Sequence, residues 1–276
     1  MHPFIKWVGG KTQILGQVLE KFPKEINNYI EPFLGGGSVL LELLCRRREG
    51  GIIIHGKILA SDLNRALICA YQHIQQRPGE VIEELRRIMS SGDGEEFFYE
   101  MRERFNGLED GGIDKTALFI YLNKTCFRGM YRVGPHGFNV PYGNYTAPKV
   151  FDEEHILSLS ELIRDVEFYC CSFEEAMGRG TEGDFMYLDP PYAPETVKSF
   201  VSYTARGFSL ESHKILFRLC KELREKNIGA LLSNSDVDLL REEFPSDKYR
   251  VQKIMCRRAI NSKDPSAKAK ELLILF

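Results

Sequence analysis

The sequence predicts an α/β fold: a parallel, helix-flanked sheet interrupted by an insertion at roughly residues 65–149. Three observations predict it. Short apolar segments of strand length alternate with segments of helical period on both sides of the insertion. A glycine cluster, Gly35-Gly36-Gly37, joins one such strand to one such helix. From about Arg65 to Tyr121 helical periodicity alone dominates, and a stretch rich in glycine, proline and aromatics follows.

In chain order, Phe4 to Glu20 opens on Gly9-Gly10 and passes into a helical pattern through Ile14, Leu15, Val18 and Leu19. Asn28 to Phe33 reads as a short strand, the glycines as a turn, and Val39 to Leu44 as a helix. A second strand, Lys57 to Ala60, ends at Ser61-Asp62. The insertion places Val81, Leu85 and Ile88, then Phe97, Phe98, Met101 and Phe105, at helical spacing, with loops at Arg77-Pro78-Gly79 and Glu109 to Gly112. Asn123 to Pro148 reads as an extended hairpin or an ordered loop. The α/β pattern resumes with a helix over Glu153 to Ile163 and a strand over Val166 to Cys170. Phe185 to Leu188 and Gly229 to Leu232 are further buried strands.

With 276 residues, 43% hydrophobic and 28% charged, the chain can bury a sizeable core, and global disorder is excluded. Apolar runs such as Gly51 to Ile54 fall far short of the ~18 residues of a membrane span. The N-terminal residues show no apolar core of a secretory signal. Seven cysteines, none spaced Cys-x-x-Cys, argue against a disulfide framework or a zinc site, so a reducing intracellular setting is expected. The net charge of -2 names no partner, but its distribution says more. Leu122 to Lys149 carries Lys124, Arg128, Arg132 and Lys149 without one acidic residue. Later, Arg250, Lys253, Arg257, Arg258, Lys263, Lys268 and Lys270 face Asp264 alone. These windows are either solvated faces or a footprint for a polyanion.

Two constellations carry chemistry. Phe33 to Gly37 lies between strand and helix, where glycines permit either a plain tight turn or close approach of a ligand to the backbone. Asp62 ends the next strand, where a carboxylate either bonds ribose hydroxyls or caps the helix that follows. Together they point to an adenosine-containing cofactor. Asp189-Pro190-Pro191-Tyr192 is the stronger signal, because it sets a carboxylate at the carboxyl end of a buried strand. The prolines fix the backbone and leave carbonyls without neighbouring N–H donors, and an aromatic ring stands beside them. That set suits a planar substrate with an exocyclic amine: carboxylate and proline carbonyl accept its N–H groups while the ring stacks on Tyr192.

These motifs resemble, in family order, the Dam-like D12 class of DNA N6-adenine methyltransferases. Phe4 to Lys11 is similar to the family's N-terminal cofactor motif, Glu31 to Ser38 to its glycine motif, and Ser61-Asp62 to its acidic ribose position. Asp189 to Tyr192 resembles its catalytic motif. Leu122 to Arg132, with Phe138 to Gly143, resembles its DNA-reading hairpin. Leu232 to Asp236, Arg257-Arg258 and Glu271-Leu272-Leu273 complete the set.

The resemblance implies a Rossmann-like class I methyltransferase sheet carrying an inserted helical and β-hairpin DNA-recognition domain. Residues 1–64 and 150–276 would form the catalytic domain and 65–149 the target-recognition domain. It implies S-adenosylmethionine as cofactor, held by Trp7, Lys11, Glu31, Phe33, Gly35, Gly37, Asp62, Ser172, Phe173 and Asp189. Asp189, Pro190 and Tyr192 would be catalytic. The partner would be double-stranded DNA, with no membrane and no metal. Arg132 matches the family's guanine reader. Lys6, Met130 and Pro141 match positions that contact the target in GATC-specific relatives, and Phe127 matches an intercalating wedge. Lys124, Arg128 and Asn139 fall to phosphate or scaffold roles. The sequence departs from the pattern at Ser172, where the family carries an acidic residue before the phenylalanine that packs on the cofactor adenine; a hydroxyl accepts an amino N–H more weakly. Two rivals remain: an amine methyltransferase of cytosine N4, RNA or protein amides, and a DNA-binding protein without catalysis. Asp189 and the family-like insertion favour adenine in DNA over the first, and the intact cofactor and catalytic motifs oppose the second.

Overall fold

The computed structural model describes residues 1–194, 208–257 and 268–276. The first elements are α1 (Leu15–Leu19), β1 (Glu25–Ile26), β2 (Tyr29–Glu31), α2 (Ser38–Arg48), β3 (Ile53–Ile54) and β4 (Ile58–Asp62). Four helices follow: α3 (Arg65–Gln76), α4 (Pro78–Ser91), α5 (Gly94–Gly107) and α6 (Ile113–Thr125). A 3-10 turn, Phe127–Gly129, leads to β5 (Val133–Gly134) and β6 (Gly137–Phe138). Then come α7 (Glu153–Leu162), β7 (Val166–Cys170), α8 (Phe173–Met177) and β8 (Phe185–Leu188). The described part ends with α9 (Leu210–Glu225), β9 (Gly229–Ser235), α10 (Asp238–Glu243), β10 (Arg250–Arg257) and β11 (Lys268–Leu275).

Residues group into two units. One comprises 13–34, 50–61 and 171–276. Its strands run in the order β10-β11-β9-β8-β2-β4. β9, β8, β2 and β4 are parallel, with Leu188 beside Leu232, Ile30 beside Met186 and Glu31 beside Ala60. β11 joins β9 antiparallel and β10 joins β11 antiparallel. The result is a mixed α/β unit with a mostly parallel sheet. Every residue of β8 is buried, which is why it reads as an unbroken apolar run. The sequence reading leaves α9 out. Ser209 caps it by accepting the Ser212 N–H at 3.0 Å, and His213, Leu216, Phe217, Cys220 and Leu223 form its buried stripe.

The other unit comprises 1–12, 35–49 and 62–170, so the whole predicted insertion lies in it, together with α2, α7 and β7. Its centre is α6, which packs against α3, α4 and α5. Leu118 to Leu122 are all buried, so this helix is apolar all round rather than along one stripe. Two sequence expectations need correction. Pro78 and Gly79 do not form a loop: Pro78 is the first residue of α4, where a missing N–H costs nothing. The helix after β4 starts at Arg65, and its cap is Asn64, which accepts the Leu67 N–H at 3.1 Å, not Asp62. The glycine- and aromatic-rich stretch forms a short hairpin with Val133 opposite Phe138 and Gly134 opposite Gly137. Asn106 fastens it, accepting the Phe138 N–H at 2.8 Å and donating to the Phe138 carbonyl at 3.0 Å. Among the described residues, no helix is long and apolar enough to cross a membrane.

Candidate active site

The sheet-bearing unit gathers acidic and aromatic groups at the carboxyl ends of its parallel strands, where open α/β sheets hold ligands. Glu31 ends β2 and is buried, and the Tyr29 hydroxyl donates to its Oε2 at 2.6 Å. Burial pushes the Glu31 carboxyl up to about 8; the Tyr29 bond pulls it back, and the negative charge of Asp189 pushes it further. Asp189 leaves β8 directly and Pro190 after it is buried. Tyr192 is pinned from β9 and β11: its hydroxyl donates to Glu271 Oε2 at 2.8 Å and bonds Ser233 Oγ at 2.9 Å. Burial, Asp189 and Glu271 together hold that phenol well above its ordinary value. The next residue is tied down as well. Ala193 donates its N–H to Asn234 Oδ1 at 2.9 Å and accepts from Ser235 Oγ at 2.5 Å.

The same unit holds Phe33 and Phe173, whose rings stack with centroids 5.4 Å apart, and Phe208 closes the cluster at 5.8 Å and 5.3 Å. Ser172 caps α8 by accepting the Glu175 N–H at 3.3 Å. Its hydroxyl keeps a proton to donate and a second lone pair.

The insertion-bearing unit carries the glycine turn. Gly35 sits at a φ of +50°, and a Cβ there would lie 2.9 Å from Trp7 Cδ1; a Cβ on Gly36 would lie 2.9 Å from Trp7 Cβ. The turn is therefore wedged against the Trp7 ring, and only glycine fits. Asp62 braces it from the other side, accepting the Gly35 N–H through Oδ2 and the Asn64 N–H through Oδ1, both at 2.9 Å. Burial raises the Asp62 carboxyl, while the N–H groups of Asn64, Gly35 and Leu63 counter the shift. Lys11 is buried, its N–H donating to Ser38 Oγ at 3.2 Å and its ammonium to the Gly9 carbonyl at 2.7 Å. Gly37 caps α2 in the left-handed conformation.

The proposed readers lie in this unit too. Arg132 is exposed, and Asn139 opposite it accepts from Arg132 Nε through Oδ1 at 2.6 Å and from Nη2 through its carbonyl at 3.2 Å. Asn139 thus scaffolds the guanidinium. Phe127 is 45% exposed, and its N–H donates to the Pro141 carbonyl at 2.8 Å. Arg128 adopts a φ of 57°, held by its N–H donating to the Tyr145 hydroxyl at 2.9 Å. Lys6 Nζ lies 4.4 Å from the Tyr145 ring centre. Met130 is half-buried and its carbonyl accepts from Cys126 Sγ at 3.3 Å. Burial and the neighbouring Lys6 hold the Lys124 ammonium down at about 8. Lys149 instead pairs with Asp152 at 2.6 Å. In the second basic window Arg258 and Lys263 lie outside the described residues.

A family model for D12 class N6 adenine-specific DNA methyltransferases matches residues 7–260. The chain belongs to that class. The methyltransferase is 37% identical to the type II methyltransferase M.MjaIII of Methanocaldococcus jannaschii, over 100% of this chain and 99% of that one. It is 33% identical to the type II methyltransferase M1.LlaDCHI of Lactococcus lactis subsp. cremoris, over 99% and 95% of the two chains. The DNA adenine methylase of Escherichia coli K12 is also 33% identical, over 99% and 94%.

For this methyltransferase, sequence reasoning names candidate chemistry-bearing residues but not the side chains that hold them. Tyr29 on Glu31 and Asn106 on the hairpin carry no motif of their own, while Glu271, Ser233 and Asn123 lie within motifs that do not say which residues they hold. The one signal for Asn123 is placement: an amide inside an apolar helix must satisfy both its donor and its acceptor, whereas the exposed Asn106 gives no such signal.

Proposed function

We propose that the enzyme transfers the methyl group of S-adenosylmethionine to N6 of an adenine flipped from a short palindromic duplex site, GATC. The observation that carries this reading is the carboxylate of Asp189 at the end of a buried strand, followed by a buried Pro190 and a Tyr192 fixed by two hydroxyl bonds. Residues 1–64 and 150–276 serve catalysis in this reading, and 65–149 serve target recognition.

The residues fit the cofactor. Phe33 and Phe173 offer a stacked aromatic surface for an adenine. Asp62 uses one lone pair of each oxygen on backbone N–H groups, leaving acceptor capacity for ribose hydroxyls. Glu31, whose ionisation burial disfavours, gains a counter-charge from a sulfonium or ammonium group. Trp7, Lys11, Gly35 and Gly37 shape the turn, and Ser172 offers a hydroxyl. When bound, S-adenosylmethionine supplies an electrophilic methyl group.

The chain's own work is to present the nucleophile. Adenine N6 is weak because its lone pair is delocalised into the ring. Asp189 and the Pro190 carbonyl accept its two N–H bonds and orient the amine toward a tetrahedral geometry that frees the lone pair. Tyr192 stacks on the flipped base and offsets part of the few kcal/mol that flipping costs. Orienting the reactants accounts for most of the acceleration, up to ~7–11 kcal/mol in well-aligned systems. Lys6, Met130, Arg132 and Pro141 read the target, Phe127 enters the duplex, and Lys124 and Arg128 hold phosphate.

The test is to incubate a library of unmethylated duplexes with labelled S-adenosylmethionine and sequence the modified adenines. Label at GATC is expected. Modification of another adenine site overturns the specificity, and label on cytosine or RNA overturns the target.

A further inference from the structure

Three of the proposed readers come from two places distant in sequence, Lys6 and the stretch from Arg128 to Arg132, and one side chain joins them. Asn123, in the last turn of α6, is 2% exposed. Its Oδ1 accepts the Lys6 N–H at 2.8 Å, and its Nδ2 donates to the Lys6 carbonyl at 2.8 Å and to the Gly129 carbonyl at 3.2 Å. The amide therefore pairs with Lys6 as a neighbouring strand would, through one donor and one acceptor, and spends its second donor on the loop. The two stretches touch at this point: a Cβ on Gly129, whose φ is +63°, would come within 2.5 Å of Lys6 Cβ and 2.6 Å of Lys6 Cδ. One residue on from Lys6 and two on from Gly129, Trp7 stacks on Tyr131 with centroids 5.9 Å apart.

We infer that Asn123 is a positioning residue for sequence discrimination, fixing Lys6 against the Gly129 loop so that Lys6 meets the duplex in register with Met130 and Arg132. This rests on the reading of those three residues as DNA contacts. No other side-chain type of this size serves. Aspartate loses both donated bonds, and an aliphatic residue leaves the buried Gly129 carbonyl and the part-buried Lys6 N–H and carbonyl without this partner. The amide touches neither base nor cofactor; it acts through Lys6.

The experiment is a double-mutant cycle on intact enzyme. Wild type, Asn123→Ala, Lys6→Ala and the double variant are assayed for kcat/KM on the preferred duplex and on duplexes with one base pair replaced at a time. Melting curves show that each variant is folded at the assay temperature. Asn123→Asp, with the same shape, replaces Asn123→Ala if the latter does not fold. Each single variant should lose about tenfold of discrimination at the same base pair, and the double variant should lose no more than Lys6→Ala. A general loosening would instead multiply the two losses and spread them over every position, which overturns the inference. So does Asn123→Ala with unchanged discrimination while Lys6→Ala is impaired. The converse, Lys6→Ala unchanged and Asn123→Ala impaired, overturns the contact assigned to Lys6 and leaves Asn123 acting through Gly129.

Discussion

The carboxyl edge of the parallel sheet and the reading segment from Asn123 to Tyr145 solve positioning in opposite ways. At the sheet edge, acidic groups lean on one another: the half-buried Asp189 raises the buried Glu31, and both sit among tyrosines whose protons are hard to remove. In the reading segment, neutral amides do the fastening. Asn106 holds β6, Asn123 holds Lys6 and Gly129, and Asn139 holds Arg132, while the arginines stay exposed. The difference teaches what each task demands. In the proposed reading, activating an amine calls for groups with shifted proton affinity, which desolvation and neighbouring charge supply. Reading a base edge needs ordinary charged donors held at fixed spacing, and an amide fixes spacing without adding charge.

The contrast breaks first at Asp189. Asp189→Ala should cut methylation by on the order of 10²–10³ or more, with DNA affinity changed little. Single-turnover rates beside binding isotherms check this, and near-normal turnover sinks the amine-acceptor role. Next comes the reading side. Arg132→Ala should lose ~1–3 kcal/mol of discrimination at one guanine-cytosine pair, whereas Lys124→Ala should weaken all sequences alike and flatten the salt slope by about one. Retained specificity in Arg132→Ala places the reader elsewhere.

Asp62→Ala sharpens the comparison from the cofactor side. It removes the acceptor for the Gly35 and Asn64 N–H groups as well as any ribose contact, so S-adenosylmethionine binding by calorimetry should weaken by ~1–3 kcal/mol. If wild type binds NAD and not S-adenosylmethionine, the cofactor assignment fails.

The smallest effects are in pH. Glu31 is an acid raised to about 8, so its contribution to stability is fully present below its ordinary value of 4.5 and is lost as pH rises through about 8. Glu31→Gln should therefore melt higher than wild type at pH 8, with the gap closing toward pH 4.5. Lys124 is a base lowered to about 8, and a bound phosphate favours its charged form. DNA affinity should fall as pH rises from 7 to 9 and lose that dependence in Lys124→Arg; an unchanged slope in that variant removes Lys124 from the phosphate contacts.

How much of this was legible depended on whether the signal was local. β7 and β8 were read from the sequence with their observed bounds because each is a short run rich in β-branched or aromatic residues. β10 was not, since Arg250, Gln252 and Lys253 break any apolar pattern on a strand at the end of the sheet order. The stripe of α9 was present but diluted by charged residues between its buried positions. Asp189 and Tyr192 were legible because type and spacing announce them. Glu271 on Tyr192 lies 79 residues away, and Lys6 lies 117 residues from Asn123, so only the folded chain reveals those partners.

Trp7 is the sole tryptophan of the chain. Its indole lies against Gly35 and Gly36 on one side and stacks on Tyr131 on another. Nature has thus placed one fluorophore where the glycine turn meets the reading loop. Intrinsic emission excited at the red edge of the indole band comes from that position alone, free of any background from a second indole. Titrations with cofactor and with duplex can be followed there without a label, and a shift in emission reports a change in the packing of this ring.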